Sequence, residues 1–89
     1  MKQIVKRRGH SEAFDERKLY ASVYHACLSV RVPVAEAELV ARQVSEDTAG
    51  WLDDKRAVTS SDIFRQAAQH FSVYNAEAAY MYKHFRSVS

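Results

Sequence analysis

Glycine, proline and cysteine are nearly missing from this chain, which has two Gly, one Pro and one Cys among 89 residues. Turn-rich all-β folds and disordered linkers both draw heavily on Gly and Pro, so their scarcity points to a mostly helical domain. With Cys27 alone, an intrachain disulfide and a multi-cysteine zinc site are both excluded. No apolar run approaches the roughly 18 residues needed to cross a bilayer. The opening MKQIVKRRGH is charged and no apolar stretch follows it, so it does not read as a secretory leader. These absences lead to the expectation of a cytoplasmic protein with no membrane association. Also missing are the G-x-x-x-x-G-K-[ST] and G-x-G-x-x-G phosphate cradles and the H-E-x-x-H zinc motif.

What is present suits one compact domain over residues 1–89. Hydrophobic residues make up 47% and charged residues 27%, ordinary values for a globular domain. A domain of this size buries only about 60–65% of its unfolded surface, so the core must be used economically. Net charge is +2, too little to steer polyanions by itself. The charge is clustered, however: Lys2, Lys6, Arg7 and Arg8 all precede the first acid, Glu12.

Residues 2–7 read as a short strand centred on Ile4 and Val5, with a turn at Arg8-Gly9-His10 and a returning strand over Ser11–Phe14. Asp15 reads as a helix N-cap, with Phe14 and Leu19 spaced as a hydrophobic staple. Leu19, Val23, Ala26, Cys27 and Val30 then mark one face of a helix running to about Ser29, broken by Arg31-Val32-Pro33. A second helix is expected from Val34, with Glu36 and Glu38 in its first turns. Its inward side is assigned to Ala37, Leu39, Val40, Ala41, Val44, Thr48 and Trp51/Leu52, with Gly50 at its end. After the polar Asp53-Asp54-Lys55, Arg56-Ala57-Val58 is assigned to a third strand. Thr59-Ser60-Ser61-Asp62 signals a helix start with Ser60 as cap, followed by Ile63, Ala67, Ala68 and Phe71. A last helix is expected near Asn75, carrying Ala78, Ala79, Met81, Tyr82 and Phe85. The expected architecture is mainly α: a four-helix bundle capped by a small two- or three-stranded sheet formed by the N-terminal hairpin.

Little here is arranged for catalysis. Cys27 lies on an apolar helix face, where a thiol is ordinarily inert packing. His10, His25, His70 and His84 fall on different elements, and none has the i, i+4 spacing that grips a metal from one helix. Asp53 and Asp54 are adjacent in a turn and diverge into water. No nucleophile stands beside a general base, so an enzyme is not expected. The basic hairpin is the exception. Lys6 and Arg7 with Lys18 on the first helix are chemically suited to phosphate, through forked guanidinium contacts and mobile ammonium charges. A solvated edge strand, where Lys also deters aggregation, accounts for the same spacing. Spacing alone leaves both readings open.

Motif order adds to this. Val5-Lys6-Arg7-Arg8-Gly9, Glu12, and Phe14-Asp15-x-x-Lys18-Leu19 resemble the opening signature of the ATP-cone family. The downstream segments Val32-Pro33-Val34, Val58-Thr59-Ser60-Ser61-Asp62-Ile63 and Ala78-Ala79-Tyr80-x-Tyr82 follow in the family's order, so the resemblance covers essentially the whole chain. It implies an allosteric module that binds ATP or dATP with Mg2+, without a redox cofactor, between a β-hairpin and a four-helix bundle. Such modules occur in ribonucleotide reductases and in a repressor of reductase genes. The implied role is control of ribonucleotide reductase or a related partner through nucleotide-dependent association, with a homo-oligomer among the possible assemblies.

Position by position, the resemblance assigns Lys6 and Arg7 to phosphate contacts and Ile4 to the border of the base. It assigns Glu12 and Asp15 to the base and ribose, Lys18 to the nucleotide, Ser60 to the hydroxyl at the start of the third helix, and Arg86 to the phosphates. There are two departures: Arg8 stands where the family usually has Asp or Asn, and Phe64 where it often has a polar residue. At Phe64 a ring offers stacking in place of a hydrogen bond. The repressor's zinc ribbon cannot form from one Cys, and the reductase barrel has no counterpart in this sequence. The low net charge and the lack of a basic recognition helix argue against nucleic acid as a partner. The alternative is a cone that has kept the fold, lost its ligand and acts as a protein–protein interaction module, with Tyr74, Tyr80 and Tyr82 offering a partner surface.

Overall fold

A computed structural model describes residues 3–5, 11–55 and 58–88, with side chains described over 14–55 and 58–84. Among the described residues the fold is mainly α, with four helices: α1 (Glu16–Ser29), α2 (Val34–Leu52), α3 (Ser60–Tyr74) and α4 (Ala76–Val88). Three short strands accompany them: β1 (Gln3–Val5), β2 (Ser11–Ala13) and β3 (Val58–Thr59), in the spatial order β2-β1-β3. β1 runs antiparallel to β2 and parallel to β3. Strands of three, three and two residues are too small to form a second layer over the bundle, so the helices carry the fold.

Each helix begins and ends for a local reason. Asp15 caps α1: its Oδ1 accepts hydrogen bonds from the backbone N–H of Arg17 at 3.0 Å and of Lys18 at 3.4 Å. At the other end Arg31 takes a left-handed conformation, φ 66°. The Arg31 N–H then donates to the Leu28 carbonyl, and the Val32 N–H to the Cys27 carbonyl, the two bonds of a Schellman motif. Val32 and Cys27 are both buried, which supplies the apolar contact that usually accompanies that motif. Pro33 follows as the residue before α2, where its fixed φ suits a helix entry.

The start of α3 differs from expectation. Its cap is Thr59, not Ser60. The Thr59 hydroxyl accepts from the Asp62 N–H at 3.0 Å, and the Asp62 carboxylate accepts from the Thr59 N–H at 3.1 Å, a reciprocal capping box. Thr59 has extended backbone because it pairs with Val5 in β3, so the last non-helical residue falls there and Ser60 is already helical. Asn75 separates α3 from α4, and its Oδ1 accepts from the Ala78 N–H at 2.9 Å.

The helices pack in a ring, α1 on α2 and α4, α3 on α2 and α4. Val23, Cys27, Ala37, Ala41, Val44, Ala67, Phe71 and Ala78 are completely inaccessible in the main core. A smaller core of Leu52, Val58 and Ile63, with Trp51 against it, lies where β3 meets the helices, and Phe14 packs against both cores.

Several sequence expectations need correction. Leu39 is not inward but 56% exposed, and Trp51 and Met81 are only half-buried. Val30 lies just past the end of α1, and Ser45 joins the buried side of α2. The helix runs through Gly50 to Leu52, because an exposed Gly in the last turn of a helix weakens it too little to stop it. The strands are shorter than 2–7 and Ser11–Phe14, and the third is Val58–Thr59; Arg56, Ala57 and the turn at Arg8-Gly9-His10 lie outside the described residues. The side chain of Phe85 does as well.

Candidate functional site

The strand register decides which candidate residues are neighbours. Ile4 is opposite Glu12 on one side and Val58 on the other. Gln3 pairs with Ala13, two residues before the α1 cap, and Val5 pairs with Thr59, the α3 cap. Because β2 runs antiparallel and β3 parallel to β1, α1 is entered from the Gln3 end of β1 and α3 from its Val5 end. Each helix start carries partial positive charge from its unpaired N–H groups, the usual basis of anion binding at such ends.

Lys18 stands in the first turn of α1, exposed, with no ion pair among the described residues. Asp15 has its Oδ1 committed to the cap, which leaves Oδ2 as the oxygen available to a ligand. Ser60 opens α3 half-buried; because Thr59 does the capping, the Ser60 hydroxyl is not consumed by that task. Phe64, one turn further, is half-buried with its ring 5.1 Å from that of Tyr82, which in turn meets Phe71 at 5.7 Å. Phe64 is thus packed against the main core. Lys6 and Arg7 lie outside the described residues, and Arg86 is in α4 with its side chain outside them.

Among the described residues, two surface clefts lie between helices. One, of about 390 Å³ between α1 and α2, is lined by Glu16, Arg17, Tyr20, Arg42, Ser45 and Glu46. The other, of about 620 Å³ between α3 and α4, includes Ser61, Phe64, Arg65, Ala68, Tyr80 and Lys83. Phe64 is the one candidate residue that lines either of them. Sequence reasoning missed the Thr59–Asp62 box, although a hydroxyl three residues before a carboxylate was its visible signal.

Catalytic chemistry has little to work with among the described residues. Cys27 is fully buried, and burial, followed by the charge of Glu36, pushes its thiol up to about 11, so the nucleophilic thiolate is suppressed. Among the described residues, no group of three His, Cys, Asp or Glu side chains is gathered to hold a metal ion, and no helix is long and apolar enough to cross a membrane.

The described residues thus form a small helical domain in which Asp15 and Lys18 stand at the start of α1 and Ser60 at the start of α3. The sequence matches the family model of the ATP cone domain over residues 2–88, and the chain belongs to the ATP-cone family, whose domains are nucleotide-binding regulatory domains. It is also similar to the transcriptional repressor NrdR of Thermosynechococcus vestitus, 29% identical over 91 residues that cover 97% of this chain and 54% of that protein. The chain spans about half the length of that curated relative.

Proposed function

We propose that this chain is an ATP- or dATP-binding allosteric module whose nucleotide lies between the β1–β2 hairpin and the starts of α1 and α3. The observation that carries this reading is the register of β1, between the strand that leads to the α1 cap and the strand that ends in the α3 cap. In it, Lys6, Arg7 and Lys18 neutralise the phosphates, whose charge the two helix ends also favour. Ile4 borders the base from the strand, Glu12 and the free oxygen of Asp15 accept from base and ribose, and the Ser60 hydroxyl supplies a donor. Arg86 approaches the phosphates from the end of α4. Mg2+ accompanies the triphosphate. Nucleotide binding shifts association with a partner, because a ligand moves an equilibrium by its differential affinity for two states. Membership of the ATP-cone family and the similarity to a NrdR repressor support ribonucleotide reductase, or control of its synthesis, as the regulated system. The module regulates and does not catalyse, and acts in the cytoplasm.

Trp51 makes this directly testable, since it is the single tryptophan and packs against the small core beneath β3. Addition of MgATP or MgdATP is expected to change Trp51 emission saturably, with matching heats in calorimetry and a weaker response to GTP. Lys18→Ala and Ser60→Ala each weaken binding without lowering the melting temperature. Absence of any heat or emission change at millimolar nucleotide with magnesium rejects the reading for this chain.

A further inference from the structure

The cleft between α1 and α2 takes no part in the nucleotide reading, since none of its lining residues is among the proposed nucleotide contacts. Its volume of about 390 Å³ falls within the range of small-molecule sites, about 300–1,000 Å³. Ser45 is the one buried residue of its lining, 2% exposed, and so forms its floor. Among the described residues the Ser45 hydroxyl has no hydrogen-bond partner. A helical serine ordinarily returns its hydroxyl to a carbonyl of the preceding turn, as Ser22 does to Lys18 at 3.0 Å and Ser29 to Ala26 at 2.6 Å. Ser45 does not. Buried polar groups without a partner are few in folded proteins, and this one underlies a cavity of ligand size. Thr48 has the other such hydroxyl and lines neither cleft.

Around this floor stand two cations and two anions, Arg17 and Glu16 from α1 and Arg42 and Glu46 from α2, all exposed. Arg42 and Glu46 are one turn apart, yet neither they nor Glu16 forms an ion pair among the described residues. Arg17 meets only Asp15, with its Nε 3.9 Å from Oδ1 and its side chain 96% exposed, so little holds its guanidinium there. The rim charges cancel. A triphosphate therefore gains nothing net from them, and a lone carboxylate or a lone amine leaves half of the rim unmatched. A molecule that carries one carboxylate and one ammonium matches both halves. Tyr20 adds an apolar wall, its ring stacked on Tyr24 at 6.2 Å with the planes 11° apart.

We propose that the α1–α2 cleft binds a small zwitterion of the amino-acid class. Its carboxylate lies between Arg17 and Arg42 and accepts from the Ser45 hydroxyl, its ammonium lies between Glu16 and Glu46, and its apolar side chain packs on Tyr20. Guanidinium groups fork onto a carboxylate, and Ser45 donates the hydrogen bond that no group of the protein accepts.

Amide NMR shifts of the full chain, titrated with L-phenylalanine and with L-leucine in the absence of nucleotide, test this. Resonances of residues 16–20 and 42–46 are expected to move saturably at millimolar ligand. N-acetylphenylalanine lacks the ammonium and phenylalaninamide lacks the carboxylate; each is expected to bind about tenfold more weakly, the loss of one charged contact. Ser45→Ala is expected to weaken phenylalanine about tenfold without lowering the melting temperature, since its hydroxyl has no partner to lose. Arg42→Met, at an exposed position, weakens it to a similar degree and leaves the core untouched. The proposal is overturned if neither amino acid moves those resonances, or if affinity is unchanged in Ser45→Ala. Equal affinity for phenylalanine and its two blocked forms also overturns it, because the ring alone would then be the contact. Calorimetry with MgATP on Ser45→Ala and Arg42→Met judges the nucleotide reading separately, as neither residue is among its contacts.

Discussion

Among the described residues, the main core gathers fifteen buried side chains from all four helices and the turn after α1, whereas the core beneath β3 has three, Leu52, Val58 and Ile63. In the first, Ala37, Ala41, Ala67 and Ala78 are wholly inaccessible, so helices approach closely and Phe71 fills the remaining space. In the second, little apolar area is buried, and the structure depends on strand pairing and on the Thr59–Asp62 capping box. The burial of apolar surface is what makes a region costly to open. The bundle is therefore the frame that is costlier to open, and the strand end, which carries Ile4, Glu12 and the cap Thr59, is the part that opens at less cost. Phe14, packed against both cores, is the link between the two.

The sharpest way to break this comparison is to truncate one side chain in each core. Phe71→Ala is expected to cost about 3–5 kcal/mol, close to the whole stability of a small domain, and Ile63→Ala about 2–3 kcal/mol. In urea titrations, circular dichroism should fall early in Phe71→Ala, while in Ile63→Ala the Trp51 emission should change before the helical signal. Equal and coincident transitions in both variants would show one cooperative unit instead of a frame and a looser end.

Next in size is the cap. Thr59→Ala is expected to destabilise by about 1 kcal/mol, since it removes the hydroxyl that accepts from the Asp62 N–H, while the backbone N–H that donates to Asp62 remains. Ser60→Ala should change thermal stability by less than about 0.5 kcal/mol, as expected for a substitution away from a cap. A larger loss in Ser60→Ala than in Thr59→Ala would move the cap back to Ser60.

The frame can also be improved, by smaller steps. The Ser45 and Thr48 hydroxyls are buried with no hydrogen-bond partner, so Thr48→Val should stabilise by about 1 kcal/mol in chemical denaturation. Arg31→Gly relieves a left-handed backbone at φ 66° and should add about 1 kcal/mol in the same assay. Gly50→Ala, with open space around the new methyl group, should gain about 0.5 kcal/mol in the melting curve.

The smallest effect is a pH dependence confined to the strand end. The Thr59 backbone N–H, then the Thr59 hydroxyl, and then Arg65 hold Asp62 below the usual aspartate range. A carboxyl whose folded pKa is lowered contributes stability above its unfolded pKa, about 3.9, and loses it as pH falls through the lower folded value. The wild type should therefore lose this increment only in acid, and Asp62→Asn should flatten that part of the stability profile. An unchanged acid limb in Asp62→Asn would remove Asp62 from the box.

Helix existence was largely legible in the sequence because it depends on local chemistry. Asp15, Pro33 and Asn75 mark boundaries through their own side chains or fixed φ, and the buried positions Leu19, Val23, Ala26 and Cys27 repeat at helical spacing. Leu39 was misread because a face with apolar residues on both sides does not say which side meets a neighbour; only packing against α1 and α3 turns it outward. The shift from Ser60 to Thr59 has the same origin, since pairing with Val5, far off in sequence, keeps Thr59 extended. Within the candidate site, the residue types were readable, but the commitment of Asp15 Oδ1 to its cap and of Phe64 to Tyr82 was not.

By itself, the sequence determined the helical class, the four helices and their approximate limits, the inert buried Cys27 and the concentration of basic residues before Glu12. These follow from intrinsic propensity, apolar periodicity and charge, which act over a few residues. Tertiary structure alone decided the strand order β2-β1-β3, the capping residue of α3, the outward Leu39 ridge and the groove between α3 and α4. Each depends on contacts between residues many positions apart, and no local pattern encodes which distant backbone a strand pairs with or which helix face remains uncovered.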